Sequence, residues 1–167
     1  MSQQHTHATT PLSKNLRQVI LLCDGVSGPA NLGGLFRLAD AFAVERVVFA
    51  NTEVDLTSSR LRKTARATQL TIPFSISNDL VGIISELKVQ NYTVVGLELT
   101  TSSIPIQQFK LPNEKALALV VGGEQQGISE EVIQRLDHTV YIEMFGTNSS
   151  MNVTQATAIA LFEFTKS

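Results

Sequence analysis

Short apolar runs recur along the chain at residues 19–24, 46–50, 70–74, 93–97, 117–121 and 140–142, each of strand length and most of them separated by a stretch with helical spacing. Alternation of this kind predicts an α/β fold with a mostly parallel sheet flanked by helices. After the first run, Gly25, Gly28 and Pro29 mark a turn, and Asn31 stands where a helix N-cap is expected. From Leu32 onward the apolar residues Leu35, Phe36, Ala39 and Phe42 follow a helical stripe. Arg37 and Asp40 fall off that stripe, so Arg37 is presented rather than packed. Further helices are expected over 80–89, over 130–136 behind Ser129 as N-cap, and from about Met151 onward, where Val153, Ala156, Ile159, Ala160 and Phe164 share a face.

Composition narrows the class. Of 167 residues, 43% are hydrophobic and 17% charged, a globular balance rich enough in apolar side chains to leave a face for an oligomer interface. The apolar runs fall far short of the roughly 18 residues that span a bilayer, which excludes a membrane helix. Residues 1–16 read as a polar, flexible leader without the basic start and apolar middle of a secretory signal, and residues 17–167 as one domain, so the expected location is cytoplasmic. Cys23, the single cysteine, sits inside an apolar run and reads as a small buried hydrophobe. His5, His7 and His138 are scattered without metal-ligand spacing, so no metal is expected.

A net charge of −2 argues against a protein that grips nucleic acid by charge alone. The charge is uneven, however: Arg60, Arg62, Lys63 and Arg66 fall together without an intervening acid. A solvated helix face and a phosphate-binding patch both explain that cluster.

Candidate chemistry lies in polar segments that adjoin apolar runs. The first, Asn31-Leu32-Gly33-Gly34-Leu35-Phe36-Arg37, carries a permanent cation whose planar fork suits phosphate; an ordinary surface arginine is the plainer reading. The second, Gly122-Gly123-Glu124-Gln125-Gln126-Gly127, follows Val121 at the end of a strand and removes side chains where a ligand could lie against backbone groups. A tight strand-to-helix turn with an exposed loop carboxylate accounts for it equally. The third, Ser150-Met151-Asn152-Val153, could simply cap the last helix. In open α/β sheets ligands bind beyond the carboxyl ends of the strands, and all three segments follow such ends.

The order, spacing and flanks of these segments resemble the SPOUT class of RNA methyltransferases, in its TrmH-like branch of tRNA and rRNA ribose 2'-O-methyltransferases, over about residues 17–166. The tetrapeptide Ser150 to Val153 is similar to the family's Ser-Leu-Asn-Val, and Gly122, Glu124 and Gly127 match its glycine turn. Gly123, Gln125 and Glu143 depart from the family pattern. The resemblance implies a single domain with a C-terminal deep trefoil knot, S-adenosylmethionine as cofactor and RNA as substrate. It also implies a homodimer with the active site at its interface. It implies catalytic roles for Arg37, Asn31, Glu124, Ser150 and Asn152, and a cofactor site formed by Val121, Gly122, Gly123, Gly127, Ile142, Met144, Ser150 and Met151. RNA contacts would fall to Arg37, Arg60, Arg62, Lys63 and Arg66. A catalytically silent RNA-binding or nucleotide-binding protein of the same fold is the alternative.

Overall fold

The computed structural model describes residues 17–112 and 116–166. In chain order the elements are β1 (Gln18–Asp24), α1 (Pro29–Ala41), β2 (Arg46–Ala50), α2 (Ser59–Ala65), β3 (Phe74–Ser77), α3 (Leu80–Val89), β4 (Thr93–Leu97), β5 (Ile104–Pro105), β6 (Ala116–Gly122), α4 (Glu130–Ile133), β7 (His138–Tyr141) and α5 (Val153–Thr165). Short 3-10 turns at Thr68–Leu70 and Ile106–Gln108 complete the set.

The seven strands form one parallel sheet in the order β3-β2-β1-β6-β4-β7-β5. Its centre, β1 and β6, is apolar on both sides because helices cover both faces. Val19, Leu21 and Cys23 of β1, with Leu117, Leu119 and Val121 of β6, pack under α1 and α5. Ile20 and Leu22, with Ala118 and Val120, face α3 and α4 instead. A strand period of two thus divides one continuous apolar run between two cores. Burial pushes the Cys23 thiol pKa up.

Helix α1 is held close on two sides. A Cβ on Gly33 would stand 2.5 Å from the Leu61 carbonyl oxygen of α2, and one on Gly34 would stand 2.7 Å from Thr154 Cγ2 of α5. Gly33 therefore lets α1 meet the backbone of α2, and Gly34 makes room for the Thr154 side chain of α5, next to the side chains that build the site.

Several sequence expectations shift. Asn31 is not the N-cap of α1: Gly28, with φ of 87°, holds that position, and Pro29, pre-set for the first helical residue, starts the helix earlier. The strand expected at 70–74 begins only at Phe74, since Pro73 has no N–H for the ladder and Thr68–Leu70 coil into a 3-10 turn. The helix expected over 130–136 ends at Ile133, and Ser129 provides no side-chain cap. The last helix opens at Val153 rather than Met151, with Asn152 as its cap. The strand expected at 140–142 spans His138–Tyr141. The basic cluster lies on and just after helix α2, which ends at Arg66 in a left-handed conformation, and β5 has no signal in the apolar pattern.

Candidate active site

Where β6 ends, the chain turns through residues 123–127 and closes on itself by a Gly127 N–H to Gly123 carbonyl bond of 2.8 Å. Gly127 has φ of 64°, and a Cβ there would run into the Glu98 carboxylate, so this position requires glycine twice over. Two acids clamp the exit of the turn. Glu98, just past β4, accepts from the Ile128 N–H at 3.0 Å, and Asp24, at the end of β1, accepts from the Ser129 N–H at 2.8 Å. Since β6 lies between β1 and β4 in the sheet, successive N–H groups ahead of α4 are met by a carboxylate from each neighbouring strand. Asp24 is only 4% exposed, and Asn51 Nδ2 satisfies its other oxygen at 3.0 Å, which makes burial of the charge tolerable. Sequence reasoning missed both acids. Their only advance signal was their place at strand carboxyl ends.

Asn152 joins the distant segments. Its Oδ1 caps α5 by accepting from the Thr154 N–H at 2.9 Å, while its Nδ2 donates to Glu124 Oε1 at 2.7 Å and to Asn31 Oδ1 at 3.0 Å. With both amide hydrogens and the carbonyl engaged, the side chain has one orientation available. Asn31 is fixed in turn by donating to the Ser27 carbonyl at 3.2 Å.

These bonds frame a cavity of about 800 Å³ at the carboxyl ends of β4, β6 and β7. The size suits a nucleoside-sized ligand. Val121, Gly122, Gly123, Gly127, Ile142, Met144, Ser150 and Met151 all line it, together with Glu124 and Asn152. Leu97, Glu98 and Leu99 line it too and were not anticipated. Ser150 is exposed on the rim and caps nothing. Arg37 is also exposed but lies outside the cavity lining of its own chain, as do Arg60, Arg62, Lys63 and Arg66. Among the described residues no group of acids, histidines and cysteines could hold a metal ion, and no helix is long and apolar enough to cross a membrane.

This parallel α/β sheet, with its glycine turn and its Asn152-centred junction, belongs to a known class: residues 18–162 match the SpoU rRNA Methylase family, and the chain is a member of it. Among individual relatives, it is 30% identical over 86% of its length to the 23S rRNA (guanosine(2553)-2'-O)-methyltransferase RlmP of Bacillus subtilis, of which it covers 56%. The chain thus spans about half the length of curated relatives such as this one. The TrmH/SpoU tRNA modifying enzyme of A. aeolicus superposes with a TM-score of 0.79 at 25% identity, over 90% of this chain and 76% of that one. An AdoMet-bound rRNA methyltransferase from Sinorhizobium meliloti shares the fold, with a TM-score of 0.75 at 24% identity over 90% of this chain and 56% of the other.

Proposed function

We propose that the chain, with residues 17–167 as its methyltransferase domain, transfers methyl from S-adenosylmethionine to a ribose 2'-hydroxyl of tRNA or rRNA. The carrying observation is the cavity itself: segments remote in sequence meet at strand carboxyl ends and are tied by the Asn152 bonds to Glu124 and Asn31. Bound there, S-adenosylmethionine would supply an electrophilic methyl group on a sulfonium.

The wall fits that group. Apolar Leu97, Val121 and Ile142 suit the adenine ring, and backbone around Gly122, Gly123, Gly127, Met144 and Met151 supplies hydrogen-bonding edges. Ser150 and Asn152 would orient the attacking hydroxyl, with Asn31 and Glu124 holding Asn152 in place. Arg37 would bind the phosphate beside the target ribose and stabilise the alkoxide as it develops. A guanidinium is a poor base at neutral pH, so Arg37 acts as a fixed charge that stabilises the alkoxide, and the hydroxyl proton passes to water as the methyl is transferred.

Arg37 is exposed and outside the cavity of its own chain, which supports a homodimer in which each site is completed by Arg37 of the partner subunit. The apolar face that α5 leaves open, with Phe162 62% exposed and Ile159 40%, supports the same arrangement. The path of residues 142–152 back from β7 to α5, which packs beside α1, supports a deep trefoil knot around the cavity. Basic α2 and Arg66 would contact RNA backbone.

The test is methylation of unmodified tRNA and rRNA with S-adenosylmethionine, read by nucleoside mass spectrometry. A 2'-O-methylated nucleoside is expected with the wild type and none with Arg37→Ala, although Arg37→Ala still gains thermal stability from S-adenosylmethionine. Full methylation by Arg37→Ala would remove the assigned role. Absence of any ligand-induced stabilisation of the wild type would favour a silent binding protein.

A further inference from the structure

The cavity wall is electrically one-sided. Among the described residues, Glu98 and Glu124 are the only charged ones that line it, and no lysine, arginine or histidine does. Neither carboxylate is engaged in an ion pair: the salt bridges among the described residues are Lys88 with Asp137 and Lys166 with Glu163. Glu98 has its two oxygens on backbone amides, Leu99 N–H at 3.0 Å and Ile128 N–H at 3.0 Å. Glu124 accepts from the neutral Asn152 amide. Hydrogen bonds to neutral donors hold both acids in position without cancelling their charge.

We infer that this wall selects the charge of its ligand: Glu98 and Glu124 favour the sulfonium donor over the thioether product that remains after methyl transfer. The inference rests on the cofactor reading above and adds a specificity role for Glu98, which that reading does not use. S-adenosylmethionine carries one positive charge more than S-adenosylhomocysteine and is otherwise nearly the same shape, so apolar and backbone contacts treat the two alike. The extra methyl changes contact area little, so the field of the carboxylates is the main distinction between them, and half-buried Glu98 is screened by salt less than exposed Glu124. The methyl leaves together with the charge that the wall prefers, so the same carboxylates loosen the demethylated cofactor and speed its release.

Isothermal titration of the full chain with S-adenosylmethionine, S-adenosylhomocysteine and sinefungin, which carries an amine in place of the sulfonium, tests this. The readout is the ratio of Kd values rather than activity. For the wild type, S-adenosylmethionine and sinefungin should bind more tightly than S-adenosylhomocysteine. In Glu98→Gln the preference should shrink on the order of tenfold, the effect of a unit charge removed at partly desolvated range. A merely structural loosening of the turn would weaken all three ligands equally and leave the ratio unchanged. Glu124→Gln, at an exposed position, supplies the second variant should Glu98→Gln fail to fold. An unchanged ratio in a folded variant that still binds both ligands overturns the charge selection alone. A wild type that binds none of the three overturns the cofactor reading and this inference with it.

Discussion

Asn152 Nδ2 stands 2.7 Å from Glu124 Oε1, a contact between the cap of the last helix and the glycine turn of the central strand. The same side chain caps α5 through its Oδ1, so one residue couples helix start, turn and α1. Asn152→Ala should lower stability by about 1 kcal/mol, the usual cost of a lost N-cap, with the cavity contacts adding to it. Asn152→Asp separates the two functions. It keeps an oxygen for the Thr154 N–H but sets a carboxylate against Glu124 and loses the donor to both partners. Chemical denaturation should find the Asp variant closer to wild type than the Ala variant, while isothermal titration finds weakened S-adenosylmethionine binding in both.

Gly33 predicts an inversion of an ordinary rule. Replacing glycine by alanine inside a helix usually stabilises by roughly 0.5–1 kcal/mol. At Gly33 the added Cβ would stand 2.5 Å from the Leu61 carbonyl oxygen and 3.0 Å from Thr64 Cβ, and backbone cannot rotate out of the way. Gly33→Ala should therefore destabilise by about 1–3 kcal/mol, the range of an overpacked core. The urea midpoint reports it, and a midpoint at or above that of wild type would refute the close packing of α1 on α2.

Cys23 gives a third measurement. Its side chain is fully buried in β1, and burial pushes the thiol pKa up, so very little thiolate forms at mildly alkaline pH. Folded protein should leave a disulfide reagent such as DTNB unreacted over hours, with full reaction on adding denaturant. Rapid labelling of the native chain would mean that the β1 core opens without global unfolding.

The parts of this fold that were legible in the sequence are those where local pattern and tertiary environment agree. β1 and β6 carry unbroken apolar runs because both of their faces are covered, and α3 matches its expected span because Asp79 caps it by accepting from the Gly82 N–H at 2.7 Å. Misreadings occur where a single residue overrides the pattern. Pro73 delays β3, and Pro29 begins α1 ahead of Asn31. Asn31 thus reaches the cavity-lining Asn152 through the bond it accepts from it, not through the cap its position suggested. Asp24 and Glu98 were invisible for another reason. Each is a lone acid after an apolar strand, and its purpose depends on an N–H that lies 105 or 30 residues further along the chain. Only the strand order, which sets β6 between β1 and β4, brings those groups together.

The basic cluster on α2 makes the last prediction. Leu61 and Ala65 turn one face of α2 into the core, whereas Arg60, Arg62, Lys63 and Arg66 are all exposed. Exchanging these four for glutamine should leave the unfolding midpoint within about 0.5 kcal/mol of wild type, as expected of surface positions. Cations that neutralise phosphate act through counterion release. If the cluster grips RNA backbone, affinity should fall by a similar factor for tRNA, rRNA fragments and unrelated sequences. The slope of log affinity against log salt should then become shallower by roughly one for each phosphate that is no longer neutralised. Arg66 is the informative single site, since it closes α2 with φ of 54°. Arg66→Gly relieves that conformation while removing the charge, so it should match or exceed wild-type stability and still lose RNA affinity. An unchanged salt slope in the four-fold variant would return the cluster to a solvated helix face.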